Sequence, residues 1–297
     1  VPKENLLHKE GKGLNVALTC LNYGRCTLSA GMLGAAQKSM DQGTKWGTTR
    51  FQFGRPLSDF ELVKKQIANM SALTYAMDAV LFMTTAFMDR HDEDVMVETA
   101  ACKVFCSEMG WRVINHSMQI MGGDGYMTEN EVERAFRDSR IYLIVEGANE
   151  VMQSYVFGYG GKQLAEHMIG VQGSFVWDSA QTMGQNLNKI ISSSFKLKLV
   201  GKAMRFGAEL FLDIKRSAPE FKDLDPSLQE RGVRLCDLIR DHSFYFKKIS
   251  MENAEKIVAR QAVQARIADV AIWLHAMSCV ISKLNQQILE KDKVAEF

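Results

Sequence analysis

Proline is nearly missing from this sequence. Its 297 residues hold four, and none falls between Pro56 and Pro219. Proline breaks helix interiors, so this stretch, rich in Ala, Met, Leu, Lys and Glu, reads as helix after helix. Strand signal is equally scarce. The one β-rich run is Ile141 to Val145, directly before Glu146-Gly147, and it reads as a buried extended link or a helical turn, not a sheet. The six cysteines form no CxxC pair and have no histidine at zinc spacing. That excludes a recognisable metal site and makes a reducing compartment the simplest setting. Cys102 and Cys106 share a helical face but no further ligand, so they read as small buried hydrophobes.

An excess of charge is absent too. Lys and Arg number 36 against 35 Asp and Glu, a net charge of +1, so no overall field draws the protein to nucleic acid. Long apolar runs are missing: the longest stretch without Asp, Glu, Lys or Arg is Val270 to Ser282, short of the ~20 residues a bilayer needs, and no spanning segment is expected. What is present is 46% hydrophobic residues, enough to bury a sizeable core and to exclude a disordered tail. The sequence opens on Val1-Pro2, with neither Met nor a basic leader, which suits a processed or partial chain.

The fold class predicted is all-α. A first helix spans about Leu14 to Thr48. A second starts at Ser58, with Glu61 as its capping-box partner and Leu57 with Leu62 as a staple, and carries Val63, Ile67, Met70, Thr74, Met77 and Leu81 as one apolar stripe. A third runs from near Asp92 to Gly122-Gly123. A shorter one follows Thr128, with Glu131 completing a second capping box. The pattern loosens around Gly160-Gly161, which divides the chain into 1–160 and 161–297. Beyond it, Asp225-Pro226 starts a helix reaching about Lys247. The last helix repeats Val263, Ile267, Val270, Leu274, Met277, Ile281, Leu284 and Ile288 at heptad spacing, which suits an antiparallel bundle or a subunit seam.

Three clusters place polar or glycine residues where a packed helix has no use for them. Asn22-Tyr-Gly-Arg25 sets a guanidinium in an apolar helix, and the bland alternative is a surface arginine. Arg50-Phe-Gln-Phe-Gly-Arg-Pro56 gathers cation, amide and aromatics at a helix end, or is simply a punctuated loop. The third runs from Gln119 through Gly122-Gly123-Asp-Gly125 to Arg137-Asp-Ser-Arg140 and Glu146-Gly-Ala-Asn-Glu150. Its glycines leave backbone N–H groups open to an anion. Glu146, between Ile-Val and a glycine, is either paired with Arg137 or Arg140 or is a working carboxylate.

Together the clusters resemble the carboxy-terminal domain of the flavin-dependent acyl-CoA dehydrogenases. Arg50 to Leu57 is similar to the family's R-x-Q-F-G-x-P-L, Gln119 to Tyr126 to its Q-I-x-G-G-x-G-Y, and Arg137 to Glu150 to its R-D-x-R-I…E-G-T-N-E. The resemblance covers about residues 1–160 and implies a four-helix bundle followed by a second helical region, with no β-domain in this chain. Val1 to Leu7 resembles the loop leaving the family's β-domain, so the amino-terminal half of such an enzyme is expected to be absent. The implied reaction is α,β-dehydrogenation of a fatty acyl-CoA, with a carboxylate taking the α-proton and FAD the β-hydride. Glu146 matches the family's base. Some branches carry theirs directly before the arginine of the first cluster, where this sequence has Gly24. Asn22, Arg25 and Gly147 match substrate-side positions. Arg50, Gln52, Phe53, Gln119, Gly122, Gly123, Ala148 and Glu150 match cofactor-side ones, reached across a dimer interface, and Ala148 departs from the usual Thr. The reaction asks for a dry pocket, which apolar Ile144 and Val145 would suit.

Residues 161–297 resemble, more loosely, the extension of the family's very-long-chain branch and of that branch's complex I assembly relative. That implies a homodimer and a mitochondrial matrix or inner-membrane location in a eukaryote or the cytoplasm in a bacterium, while the family resemblance implies electron-transfer flavoprotein as partner. Asn188 to Phe206 mixes five cations with apolar residues and is expected to touch a membrane surface. The alternative of another class is a non-catalytic scaffold or assembly factor keeping the same fold.

Overall fold

The computed structural model describes residues 2–7, 9–90, 94–173 and 207–295. Helix dominates them. The elements are α1 (Gly13–Thr49), a hairpin of β1 (Phe51–Gln52) and β2 (Arg55–Pro56), α2 (Glu61–Asp89), α3 (Met96–Met121), α4 (Gly123–Tyr126), α5 (Glu131–Ser139), α6 (Asn149–Gly173), α7 (Gln229–Asn253) and α8 (Gln261–Ala295). The expected interfacial stretch Asn188 to Phe206 lies outside the described residues. The chain clusters into two units, one of residues 1–156 with 271–297 and the other of residues 157–270.

In the first unit α1 and α3 lie side by side and point the same way. Asn22 meets Thr99 near their starts, and Gly47 meets Ile120 near their ends. Small residues allow the approach: a Cβ on Gly43 would sit 2.6 Å from Ser117 Oγ, while that hydroxyl donates to the Ser39 carbonyl at 2.6 Å. α2 runs back against both, with Cys26 near Met88 at one end and Gly47 near Val63 at the other. Met32, Ala36, Met70, Met77, Val80, Ala100, Cys102, Phe105, Val113 and Ile114 fill the space between. The carboxy-terminal part of α8 joins this core through Trp273, edge-on to Phe105 at 5.3 Å, and through the Lys283–Asp78 ion pair and a Tyr75–Gln287 hydrogen bond of 2.7 Å to α2. α2 and the stretch Gln261–Lys291 are long and apolar enough to cross a membrane, but core helices of a bundle meet the same test.

Several local expectations need correction. Neither capping box forms. Leu57–Asp59 is a 3-10 turn, Phe60 rather than Ser58 precedes α2, and Leu62 is exposed; α5 starts after Asn130, again without a side-chain cap. The 3-10 turn uses up the residues the box needs. Ile141–Val145 takes the helical-turn alternative, within and just after the 3-10 segment Arg140–Leu143, but Ile141, Ile144 and Val145 are exposed, not buried. The only described strands are β1 and β2, joined by Phe53 (φ 52°) and Gly54 (φ 77°). Two positive φ values in a two-residue loop make the type I′ turn that suits a twisted hairpin. In α8, Leu274 and Ile281 are buried but Val270 and Met277 are exposed, so the heptad stripe is only partly covered.

In the second unit, Asp225 caps the turn into α7 by accepting from the Ser227 N–H at 2.8 Å. Phe246 of α7 packs edge-on against Phe157 at 5.4 Å, and His242 reaches the Ile267 carbonyl at 3.0 Å. A cavity of about 480 Å3 within this unit is lined by Pro219, Phe221, Leu224 and Cys236.

All six cysteines are free, and all but Cys20 are buried. Burial raises the Cys279 thiol to about 12 and holds up that of Cys236, while hydrogen bonding to a neighbouring thiol does most to raise Cys26 and Cys102. Thiolate is the reactive form. Native protein at pH 7.5 should therefore label rapidly at one thiol, Cys20, with the others following only on denaturation. Peptide mass mapping after a short maleimide pulse checks this, and fast labelling of Cys26 or Cys102 would contradict the packing.

Candidate active site

The turn between the Arg140–Leu143 3-10 segment and α6 is built on two consecutive left-handed residues, Glu146 (φ 59°) and Gly147 (φ 92°). The second is best suited by glycine because its φ favours no other residue; the Met152 Cε 2.5 Å from a Cβ built there is the free end of a flexible side chain. Glu146 has no such freedom, and a strained non-glycine residue of this kind costs about 1–3 kcal/mol. The turn carries the Glu146 carboxylate onto α1. A Cβ placed on Gly24 would meet its Oε1 at 2.8 Å and its Oε2 at 3.0 Å, so the missing side chain at position 24 is the space the carboxylate occupies.

The first cluster and the end of the third thus come together. Beside the carboxylate, Arg25 is buried in α1, donates to Asn22 Oδ1 at 3.1 Å, and lies 5.4 Å from the Tyr155 ring of α6. Asn22 Oδ1 also accepts from Thr99 at 3.2 Å. Glu146 Oε2 and Arg25 Nε are both buried and have no hydrogen-bond partner. The ion pair considered for Glu146 does not form with Arg137, whose guanidinium is taken by Glu133. Ile144 and Val145 do not dry this carboxylate, since both point to the surface.

Behind the turn is a residue that sequence reasoning passed over. Lys103 of α3 is 0% exposed, and its ammonium donates to the Gly147 carbonyl at 2.8 Å and to Asn149 Oδ1 at 2.7 Å. Burial pushes it down to about 8, with Arg25 adding to the fall and the carboxylates of Glu108, Glu150 and Glu146 opposing it. The signal was available: a single cation in the run Ala100-Ala-Cys-Lys-Val-Phe-Cys106. Ala148 passes its carbonyl to the Met152 N–H at 2.9 Å, and Glu150 is exposed.

The remaining predicted residues sit elsewhere. Arg50, Gln52 and Phe53 occupy the hairpin at the end of α1, where Phe53 is 90% exposed and Arg55 lies over the Phe60 ring at 4.0 Å. Gln119, Gly122 and Gly123 close α3 beside it and are exposed. Of the three glycines there, Gly125 is buried, which leaves only Gly122 and Gly123 open to an approaching group. From Arg25 to Arg50 the chain is helical almost throughout, so at 1.5 Å per residue the two groups are separated by about 35 Å along α1. One chain does not bring them together. Among the described residues no His, Cys, Asp or Glu group is arranged to hold a metal.

Residues 11–157 match the family model described as "Acyl-CoA dehydrogenase, C-terminal domain". The chain belongs to the acyl-CoA dehydrogenase family. It is 29% identical over its full length to the mitochondrial very long-chain specific acyl-CoA dehydrogenase of Macaca fascicularis, of which it covers 43%. It is 37% identical over 97% of its length to the probable acyl-CoA dehydrogenase FadE10 of Mycobacterium bovis, covering 44% of that protein. A Bacillus anthracis acyl-CoA dehydrogenase solved with FAD superposes with a TM-score of 0.72 at 26% identity, over 95% of this chain and 46% of that one. The chain thus spans less than half the length of these acyl-CoA dehydrogenases.

Proposed function

We propose that the chain supplies the helical domain of a flavin-dependent enzyme that introduces an α,β double bond into fatty acyl-CoA thioesters, the first step of fatty acid β-oxidation, and that Glu146 is its base. One observation carries this reading: the Glu146 carboxylate sits on a strained turn over Gly24, with a buried oxygen left unpartnered. A structural ion pair would have satisfied that oxygen. A carboxylate held ready and unpaired suits proton abstraction, because a base must reach the proton it takes with a free lone pair.

Glu146 would accept the α-proton, and Asn22, Arg25 and Gly147 would line the substrate side. The charge left on the thioester needs donors in a water-poor site, which this buried face of α1 begins to provide. The exposed Arg50, Gln52 and Phe53, with uncovered Gly122 and Gly123 and Gln119 beside them, fit a flat anionic dinucleotide: an aromatic face, a cation for pyrophosphate and backbone without a Cβ. They would hold FAD, with Ala148 and Glu150 near its reactive end. When bound, FAD supplies the acceptor for the β-hydride. The distance of about 35 Å between the two ends of α1 favours a homodimer in which the hairpin of one copy serves its partner's Glu146. Electron-transfer flavoprotein would reoxidise the cofactor. The same proposal assigns 1–160 to catalysis and 161–297 to a very-long-chain-type extension, in the mitochondrion of a eukaryote or the cytoplasm of a bacterium.

Anaerobic addition of a saturated long-chain acyl-CoA to the FAD-loaded protein, extended by the amino-terminal portion its relatives carry, should bleach the yellow absorbance. Tight binding of that acyl-CoA with no bleaching would rule the enzyme out.

A further inference from the structure

We propose that Lys103 is a positioning residue for Glu146, acting through the backbone: its buried ammonium clamps the Gly147 carbonyl and the Asn149 side chain and so fixes the turn that aims the carboxylate. This rests on the reading of Glu146 as the base. Lys103 is fully buried, and both of its hydrogen bonds fall on residues 147 and 149, either side of Ala148. Asn149 is itself buried and ties on to α3 at two further points, donating to Ser107 Oγ at 3.0 Å and to Glu108 Oε1 at 2.8 Å. Three residues of α3, 103, 107 and 108, thus hold Gly147 and Asn149, two of the three positions after Glu146.

Two features make this more than core packing. A lone buried ammonium is costly and is kept where it is paired or used. A left-handed glutamate persists only where its surroundings over-determine it, and no hydrogen bond to its own carboxylate does so. The anchor must therefore lie in the backbone that follows, and Lys103 is the charged group that grips it. An uncharged side chain of nearly the same length at 103, such as methionine, would fill most of the volume and release the Gly147 carbonyl, leaving the turn free to relax and the carboxylate to swing away from Gly24.

The test is Lys103→Met in the FAD-loaded, amino-terminally extended enzyme, with all rates expressed per bound flavin. A misplacement near 1 Å lowers turnover by about 100-fold, so kcat should fall about 10- to 100-fold. KM should stay within about threefold of the parent, and the isotope effect with α-deuterated acyl-CoA should rise as proton abstraction becomes limiting. Amide hydrogen exchange over 144–150 should quicken while the middle of α1 stays protected. Parent kcat, isotope effect and exchange in Lys103→Met would overturn the proposal. If that variant does not fold, Asn149→Ala removes one of the two acceptors and carries the same readings: a raised isotope effect with faster exchange supports the clamp, and parent values overturn it. Glu146→Gln is measured alongside. A Gln variant that turns over like the parent sinks the base reading itself, whereas an inactive Gln variant beside a fully active Lys103→Met sinks the positioning role alone.

Discussion

Glu146→Gln is expected to slow bleaching of the flavin by a saturated acyl-CoA by 10²–10⁴-fold or more, the range over which a positioned general base contributes. The amide keeps the size and polarity of the carboxylate, so it still fits the space over Gly24 and the turn with φ 59° need not rearrange. Flavin content and acyl-CoA binding should stay near those of the parent. What is lost is the lone pair that accepts the proton, and Gly24 beneath it offers no carboxylate in its place. A loss in kcat and in kcat/KM together, with binding intact, marks an interaction made only in the transition state. A rate within about tenfold of the parent would remove Glu146 from the mechanism.

The largest stability effect is expected outside this site, at Glu209 of the second unit. Its side chain is 2% exposed, its Oε1 accepts from Lys247 at 2.6 Å, and its Oε2 accepts from Arg216 at 2.7 Å. Arg216 is half-exposed and can return to water, but Lys247 is buried. Glu209→Gln therefore leaves an ammonium in the interior with its counter-charge gone. Removing one member of a buried pair costs about 3–5 kcal/mol, whereas replacing both with apolar groups is often close to neutral. Glu209→Gln should lower the hydrogen-exchange protection of Gln229–Asn253 by that amount, and Glu209→Leu with Lys247→Met should restore most of it. A loss under about 1 kcal/mol for the single variant would mean that Lys247 finds water.

The helices were readable because their signal is local. Lack of proline allowed α1 to be placed within a residue of Gly13–Thr49, and the pair Gly122-Gly123 marked the end of α3. Caps were less so: Ser58 with Glu61 has the spacing of a box, yet a 3-10 turn at Leu57–Asp59 competes for the same residues. Ile141–Val145 shows the limit of hydrophobicity as a guide, since an apolar run is buried only where another surface of the chain covers it. Two-residue strands such as β1 and β2 are too short to show a period of two, and went unseen. For the candidate site, motif resemblance singled out Glu146, but the match of its carboxylate to the gap at Gly24 joins residues 122 positions apart, which no local pattern encodes. Lys103 was missed for the opposite reason: its environment, not its type, makes it unusual.

Removal of the α-proton by Glu146 is tested most directly by hydrogen exchange that requires no redox step. An acyl-CoA analogue with sulfur in place of the β-carbon cannot give up a β-hydride, so with the FAD-loaded enzyme in D2O any deuterium it gains at the α-carbon reports the base alone. The parent should exchange the α-hydrogen well above the buffer rate, and Glu146→Gln, saturated with the same analogue, should not exceed it. Equal incorporation by the two proteins would contradict the account.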